Sequence, residues 1–447
     1  MTDRPRMLPD MPASFPDTRA LLKNLFEAAI HAALPDAILA RHLPPPPRGR
    51  LTVFAIGKAA AAMAAAAEAY YAAHFPDVVL QGIALTRYGH GRPTRHIEVI
   101  EAGHPVPDAN GVAASARILQ MANDLDPNDF ALVLISGGGS ALATLPIDGV
   151  TLDDKRALTR ALLASGAPIA DINCLRKHLS RIKGGRLAKA IAPAPSLTLA
   201  ISDVAGDDPA VIASGPTVAD PTTREDALRI LRKFHIDAGE HILHALDTSP
   251  EGPKPGDAAF AHASFELIAS GAGSLKAAAA IAKAHGYDVI DLGDKVEGEA
   301  RDVAADHARL ALEARAAGQK LAILSGGETT VTFAARSANP GGRNQEYALA
   351  LALALNGAPG IAALAGDTDG IDGGSGVADD PAGALILPDT LARAHALGLD
   401  PQAALATHDS GHFFASLGDL VQTGPTFTNV NDFRVILVER PAARDNA

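Results

Sequence analysis

Leu132-Val133-Leu134-Ile135-Ser136-Gly137-Gly138-Gly139-Ser140-Ala141 is an apolar run that ends abruptly in three glycines flanked by serines. An uninterrupted apolar run this short fits a strand buried on both faces, as in a parallel sheet. The three glycines let backbone N–H groups converge on an oxyanion with no Cβ in the way, and Ser136 and Ser140 add hydroxyl donors. A merely flexible turn would not need three, because each glycine costs chain entropy on folding. Similar units recur along the chain: residues 51–56 run into Gly57-Lys58, 197–201 into 203–208, 321–324 into Gly326-Gly327, and 361–365 into 366–376. Helical stretches separate them, so the expected fold is α/β, with right-handed crossovers and largely parallel sheets.

At 447 residues the chain exceeds one ordinary core, and two α/β domains of roughly 200 residues each are expected. The Ser-Pro-Glu-Gly-Pro-Lys-Pro-Gly run within 248–256 reads as a linker, dividing an N-terminal domain, 1–250, from a C-terminal one, 257–447. The first helix, with Leu21, Leu22, Leu25, Phe26, Ala29 and Ile30 at helical spacing and Asp17 as N-cap, is expected to pack on the sheet that follows it.

Trp is absent and the net charge is −12, which argues against a nucleic-acid partner while leaving room for a locally positive pocket that holds a small anion. A single cysteine, Cys174, rules out an internal disulfide framework and a cysteine-built zinc site. The uncharged run 59–67 is too short to span a membrane, and residues 1–16 lack the apolar core of a secretory signal, so a cytoplasmic protein without membrane partners is expected. A homo-oligomer is compatible with all of this.

Several segments carry candidate chemistry. Gly57-Lys58 places a mobile cation at the start of an alanine-rich helix, where an anion is favoured by charge and dipole. It is not a Walker loop, since no Gly-x-x-x-x-Gly-Lys-Ser/Thr occurs. Residues 173–186 form the densest basic stretch; Lys177, Arg181 and Lys183 cannot share one helix face, so part of it is solvated surface and part can bind an anion. Asp203 and Asp207 follow a strand end, where carboxylates can hold Mg²⁺ through water or accept a proton; N-capping ahead of Pro209 is the plain alternative for Asp207 or Asp208. Arg343, in Gly341-Gly342-Arg343-Asn344-Gln345-Glu346, opposes a helix dipole, which makes sense with an anion between them; a salt bridge, for instance to Glu346, is the plain alternative. Asp367, Asp369 and Asp372 share one glycine-rich loop that lacks the terminal glutamate of a calcium loop, so a polar turn shaping an interdomain cleft is expected there.

Taken together, residues 101–108 (Glu-Ala-Gly-His-Pro-Val-Pro-Asp), the Ser136–Ser140 turn, 176–186, 202–208, 325–330, 342–346, 366–373 and 423–432 (Thr-Gly-Pro-Thr-Phe-Thr-Asn-Val-Asn-Asp) resemble, in one order, the class II glycerate 2-kinases with a MOFRL domain, often labelled hydroxypyruvate reductase. The resemblance implies a Rossmann-like N-terminal domain with a mainly parallel sheet, a smaller α/β C-terminal domain and an active site in the cleft between them. ATP would donate its γ-phosphoryl group to the 2-hydroxyl of D-glycerate, giving 2-phosphoglycerate. Lys58 and Arg343 stand at the positions implicated in the family. Gly57, Ser136, Gly137, Gly138, Gly139, Ser140, Gly326, Gly327 and Glu328 are then the expected phosphate and nucleotide contacts. Arg176, Lys183 and Asn344 are the expected substrate contacts, and Asp203 and Asp207 the expected Mg²⁺ ligands. Phe427 departs from the family pattern, standing where many members carry a smaller residue. Two rival readings are an NAD(P)H-dependent hydroxypyruvate reductase, disfavoured because no Gly-x-Gly-x-x-Gly opens a helix, and a non-catalytic sugar-acid or nucleotide sensor, which could dispense with Lys58 and Arg343.

Overall fold

The computed structural model describes residues 15–332, 341–373 and 379–440. Of the stretches singled out above, 1–14 and 374–378 lie outside the described residues. The chain divides into two compact units: Ile30–Ser274 with Gly424–Asn431 forms one, and the other takes the described residues up to Ala29, Leu275–Thr423 and those from Asp432 onward.

In the unit that begins at Ile30, six strands form one sheet: β1 (Leu51–Ile56), β2 (Leu80–Arg87), β3 (Ile97–Ala102), β4 (Phe130–Ile135), β5 (Ser196–Ile201) and β6 (Ala263–Ala269). Their spatial order is β3-β2-β1-β4-β5-β6 and every neighbouring pair is parallel. Alternate residues of a strand face opposite sides, so a sheet covered on both faces needs apolar residues at every position. Leu51, Val53 and Ala55 join Leu132, Leu134 and Leu199 in one core, while Phe54 and Ile56 join Val133 and Ile135 in another. Helix Ala60–His74 covers the first face through Met63, Ala64, Ala67 and Tyr71, and helix Ala109–Asn123 covers the second through Ala114, Ile118 and Ala122.

The chain stays with this sheet past the proline-rich run 248–256, because the strand that follows is β6, paired with β5 from Ser196–Ala263 to Ile201–Ala269. The division therefore falls at Ser274, later than the linker composition suggests. The first helix also departs from expectation. It spans Phe15–His31, which puts Asp17 in its first turn, not at its cap. Its Phe26 ring lies 5.8 Å from that of Phe433, on the final strand of the chain, so it packs on the other unit's sheet.

That second sheet is built from β7 (Asp288–Asp291), β9 (Leu321–Ser325), β11 (Ile361–Asp367), β12 (Gly383–Ile386), β13 (Leu420–Val421) and β14 (Asp432–Val438), with β8 (Glu297–Glu299) and β10 (Glu328–Thr330) paired apart. The order β13-β12-β11-β14-β9-β7 contains only one parallel pair, β7 with β9. The expectation of parallel pairing fails here because β14 enters antiparallel between β9 and β11, which the intervening helix would otherwise have set side by side. Helices Ala300–Ala316 and Arg343–Leu355 meet through Ala300, Ala304, Ala308 and Ala311, a small-residue stripe that lets them lie close. Among the described residues no helix is long and apolar enough to cross a membrane.

Candidate active site

Strand order reverses between β1 and β4, since β2 and β3 run outward on one side and β5 and β6 on the other. In open α/β sheets the crevice outside the carboxyl ends at such a point is where ligands bind. Both glycine turns leave the sheet there. The Lys58 N–H donates to the Gly137 carbonyl at 2.8 Å, the Ala59 N–H to Ser136 Oγ at 2.9 Å, and Thr86 Oγ1 to the Lys58 carbonyl at 3.1 Å. Gly57 is required, because its φ is +132° and a Cβ would lie 2.2 Å from Ser136 Oγ. Gly57 and the fully buried Ser136 thus fasten the two turns together, and the Ser136 hydroxyl is turned to the protein and not toward a phosphate. The following helix is N-capped by Ala59, so Lys58 stands ahead of the helix and not in its first turn.

Gly138 is left-handed, with φ +78°, and caps the short turn Gly139–Leu142. The N–H groups of Gly137 and Gly138 have no acceptor among the described residues, which leaves them for an oxyanion. Lys58, His104 and Asp203 ring this turn: a Cβ on Gly138 would lie 2.8 Å from His104 Nε2 and 3.2 Å from Lys58 Cγ, and one on Gly137 only 2.0 Å from Asp203 Oδ2. Asn429 Nδ2 donates to Asp203 Oδ2 at 2.8 Å, and Asn431 donates to the Asp203 carbonyl. Gly137→Ala is therefore expected to push Asp203 and Asn429 apart and to destabilise this unit by about 1–3 kcal/mol, the usual cost of overpacking. A denaturant midpoint unchanged from wild type would show the turn to be looser than this.

Ser140 Oγ lies 2.7 Å from Ser214 Oγ, and Lys183 Nζ donates to the Ser140 carbonyl at 2.8 Å. Ala213, Ser214 and Gly215 are three successive left-handed residues against Gly139, backbone strain of the kind concentrated at ligand sites. The basic stretch splits as its spacing suggested. Buried Lys177 pairs with buried Asp220 at 3.4 Å, Arg181 reaches exposed Asp148, Lys183 is buried and Arg176 half-buried. Asp207 sits in a tight left-handed turn, its N–H on the Val204 carbonyl, while Asp208 Oδ1 accepts from the Ala210 N–H and opens the next turn. No group of three or more metal-binding side chains occurs among the described residues.

In the other unit Arg343 opens helix Arg343–Leu355 and holds three carboxylates: Nε donates to Asp432 at 2.8 Å, Nη1 to Glu328 at 2.7 Å and Nη2 to Asp367 at 2.9 Å. Burial disfavours its charge, but Asp432, Asp367 and Glu328 outweigh that and hold its pKa above the ordinary value. The anion inferred at this helix start thus comes from the protein. It does not come from Glu346, which pairs with Arg301. Asp432 also accepts from buried Arg434, whose Nη1 donates to the Gly326 carbonyl at 2.9 Å. The Gly326 N–H is taken by the Gly293 carbonyl at 2.9 Å and the Gly327 carbonyl accepts from the Asp432 N–H, so Gly326 has no N–H left for a phosphate. Asn344, fully buried, donates to Asp432 and Asp372, so its side-chain N–H groups are spent inside the protein.

Asp372 caps the same helix, its two oxygens accepting the N–H groups of Asn344 and Gln345 at 2.9 Å each and both side-chain amides besides. Asp372→Ala orphans these donors and should cost about 1–3 kcal/mol. Burial pushes the Asp372 carboxyl up to about 6, above an unfolded value of about 3.9. The folded state therefore binds this proton more tightly, and the stability so gained is full below the unfolded pKa and lost as pH rises through about 6. Urea midpoints of wild type and Asp372→Ala, compared at pH 5 and pH 7, should differ by more at pH 5; an equal difference would contradict the assignment.

A MOFRL family model matches residues 321–432, and a domain of unknown function, DUF4147, matches 21–247. The D-glycerate 2-kinase of Thermotoga maritima is 37% identical over 94% of this chain and 98% of its own, and the human glycerate kinase is 34% identical over 93% and 92%. The crystal structure of the Thermotoga maritima glycerate kinase superposes with a TM-score of 0.83 at 36% identity, covering 95% of this chain and all of that one. The chain belongs to the class II glycerate kinase family. Two Agrobacterium vitis relatives, 50% and 48% identical, have been named provisionally as hydroxypyruvate reductases. As a glycerate kinase by family, the chain carries residues at its turns that sequence reading passed over as site members. His104, Asn429 and Asn431 lay within stretches quoted for the resemblance, but nothing in their spacing pointed to Gly137 and Asp203. Lys155, considered below, stood outside every motif.

Proposed function

We propose that this glycerate kinase family member transfers the γ-phosphoryl group of ATP to the 2-hydroxyl of D-glycerate, releasing ADP and 2-phosphoglycerate. The observation that carries the reading is the pair of open N–H groups at Gly137 and Gly138, with Lys58 laid along them at the switch point of the parallel sheet. Phosphoryl transfer asks a protein for positioning and charge neutralisation more than for covalent chemistry. In this reading the two N–H groups hold phosphate oxygens and Lys58 offsets charge on the transferring group, with Arg343 as the second candidate for that part. Mg²⁺ carried on the nucleotide phosphates keeps several waters and needs only one or two carboxylates; Asp203, beside Gly137, fits that part, with Asp207 as the second candidate. The group would supply charge neutralisation between the phosphates, and Asn429 and Asn431 would keep Asp203 aimed at the turn. The names of the Thermotoga maritima and Pyrococcus horikoshii relatives support the 2-hydroxyl as acceptor.

The names of the two Agrobacterium vitis relatives favour a second reading, hydroxypyruvate reduction with NAD(P)H. The turn after β1 speaks against it, since Gly57-Lys58 is closed onto Ser136 and offers no glycine-lined path for a pyrophosphate. Purified protein given ATP and Mg²⁺ should release ADP only when D-glycerate is added, and should not oxidise NADH with hydroxypyruvate. NADH oxidation without glycerate-dependent ADP release would reverse the choice.

A further inference from the structure

Three basic side chains in the unit that begins at Ile30 are buried or half-buried with no carboxylate beside them among the described residues. Lys177 has Asp220, Arg181 has Asp148, and Arg186 donates to the carbonyls of Lys177, Lys183 and Pro250. Lys155, Arg176 and Lys183 have no carboxylate partner among the described residues. Lys155 comes from the first turns of helix Leu152–Ala164, Arg176 from helix Ile169–His178, and Lys183 from the turn after it. Lys155 is 8% exposed and Lys183 2%. Nζ of Lys155 has no hydrogen-bond partner, Nζ of Lys183 makes one bond, to the Ser140 carbonyl, and Arg176 reaches only Asn173 Oδ1, at 3.3 Å.

Burying one cation without a counter-charge is costly, and burying a cluster that repels itself is more so. A fold carries such a cluster at a profit only where an anion arrives to neutralise it. We infer that Lys155, Arg176 and Lys183 form the subsite for the carboxylate of the hydroxy-acid substrate, with Lys155 as a specificity-determining residue. Ser140 links the cluster to the turn whose N–H groups are open at Gly137 and Gly138, so an acid held here presents its hydroxyl toward the phosphoryl donor. The hydroxyls of Ser140 and Ser214, 2.7 Å apart, are suited to the acid's own hydroxyl groups. Burial, and then Arg176, push Lys155 down to about 7, and burial, then Lys155 and Arg176, hold Lys183 well below its ordinary value.

This inference rests on the glycerate kinase reading, and its test separates the two. Lys155→Met keeps the apolar stem and removes the ammonium group. It should raise the KM for D-glycerate by about 10–100-fold, the worth of one hydrogen bond to a charged group, and leave the KM for ATP unchanged. Without ligand its Tm should equal or exceed that of wild type, because an unpaired buried cation has gone, whereas a merely structural lysine would lower it. D-glycerate alone should raise the Tm of wild type but not of Lys155→Met, and glycerol, which has no carboxylate, should shift neither. If wild type shows neither glycerate-dependent turnover nor a glycerate-induced shift, the kinase reading fails with the inference. If wild type shows both and Lys155→Met matches it, the subsite alone is overturned, as it is if the KM for ATP rises instead.

Discussion

Lys58→Ala is expected to lower turnover by about 10²–10³-fold, the range seen when one preorganised electrostatic contact to a developing charge is removed. The fold should be unaffected, because the bonds that fix this turn run through the Lys58 backbone: its N–H on the Gly137 carbonyl and its carbonyl under Thr86 Oγ1. Alanine keeps both. Ser136 and Gly57 still clamp the turn from beneath, so the two open N–H groups stay in place and the variant should still bind nucleotide. Turnover should fall with little change in the KM for either substrate, as for a contact made in the transition state and not in the ground state. Wild-type turnover in Lys58→Ala would remove the residue from the mechanism.

Arg343→Ala should lose comparable activity but fail differently. Its guanidinium joins Asp432, Glu328 and Asp367, and Asp432 is fully buried. Removing the fork leaves carboxylates facing one another, with Asp432 dependent on Arg434 and Asn344. Breaking a buried pair costs about 3–5 kcal/mol, and the partial exposure of Arg343 places this variant near the lower end. Arg343→Lys keeps the charge without the planar fork and should recover part of the stability and little of the activity. Parallel measurements of Tm and turnover on both variants separate the roles. Full activity at reduced Tm would make Arg343 a structural hub only.

The parallel sheet was legible because a strand buried on both faces must be apolar throughout, which is how 51–56 and 130–135 read. The glycine turns at its carboxyl end were legible for the same local reason: Gly57 has no room for a Cβ, and neither has Gly137. What escaped was set by contacts far apart in sequence. Arg343 could be seen to need an anion, but its partners lie 15, 24 and 89 residues away, and the nearer Glu346 is held by Arg301. The entry of β14 between β9 and β11, and the return of Gly424–Asn431 to the unit that begins at Ile30, leave no periodicity in the residues concerned. Lys155 was hidden for a different reason. A lysine four residues past an N-cap threonine looks like a solvated helix residue until its burial is known.

Following the ³¹P spectrum of a mixture of ATP, Mg²⁺, D-glycerate and enzyme tests the proposed function most directly. The ATP signals should give way to those of ADP and of 2-phosphoglycerate in equal amounts, with no signal for the 3-phosphate before any mutase is added. Appearance of 3-phosphoglycerate, of inorganic phosphate alone, or of no new phosphoester while hydroxypyruvate consumes NADH would contradict the account.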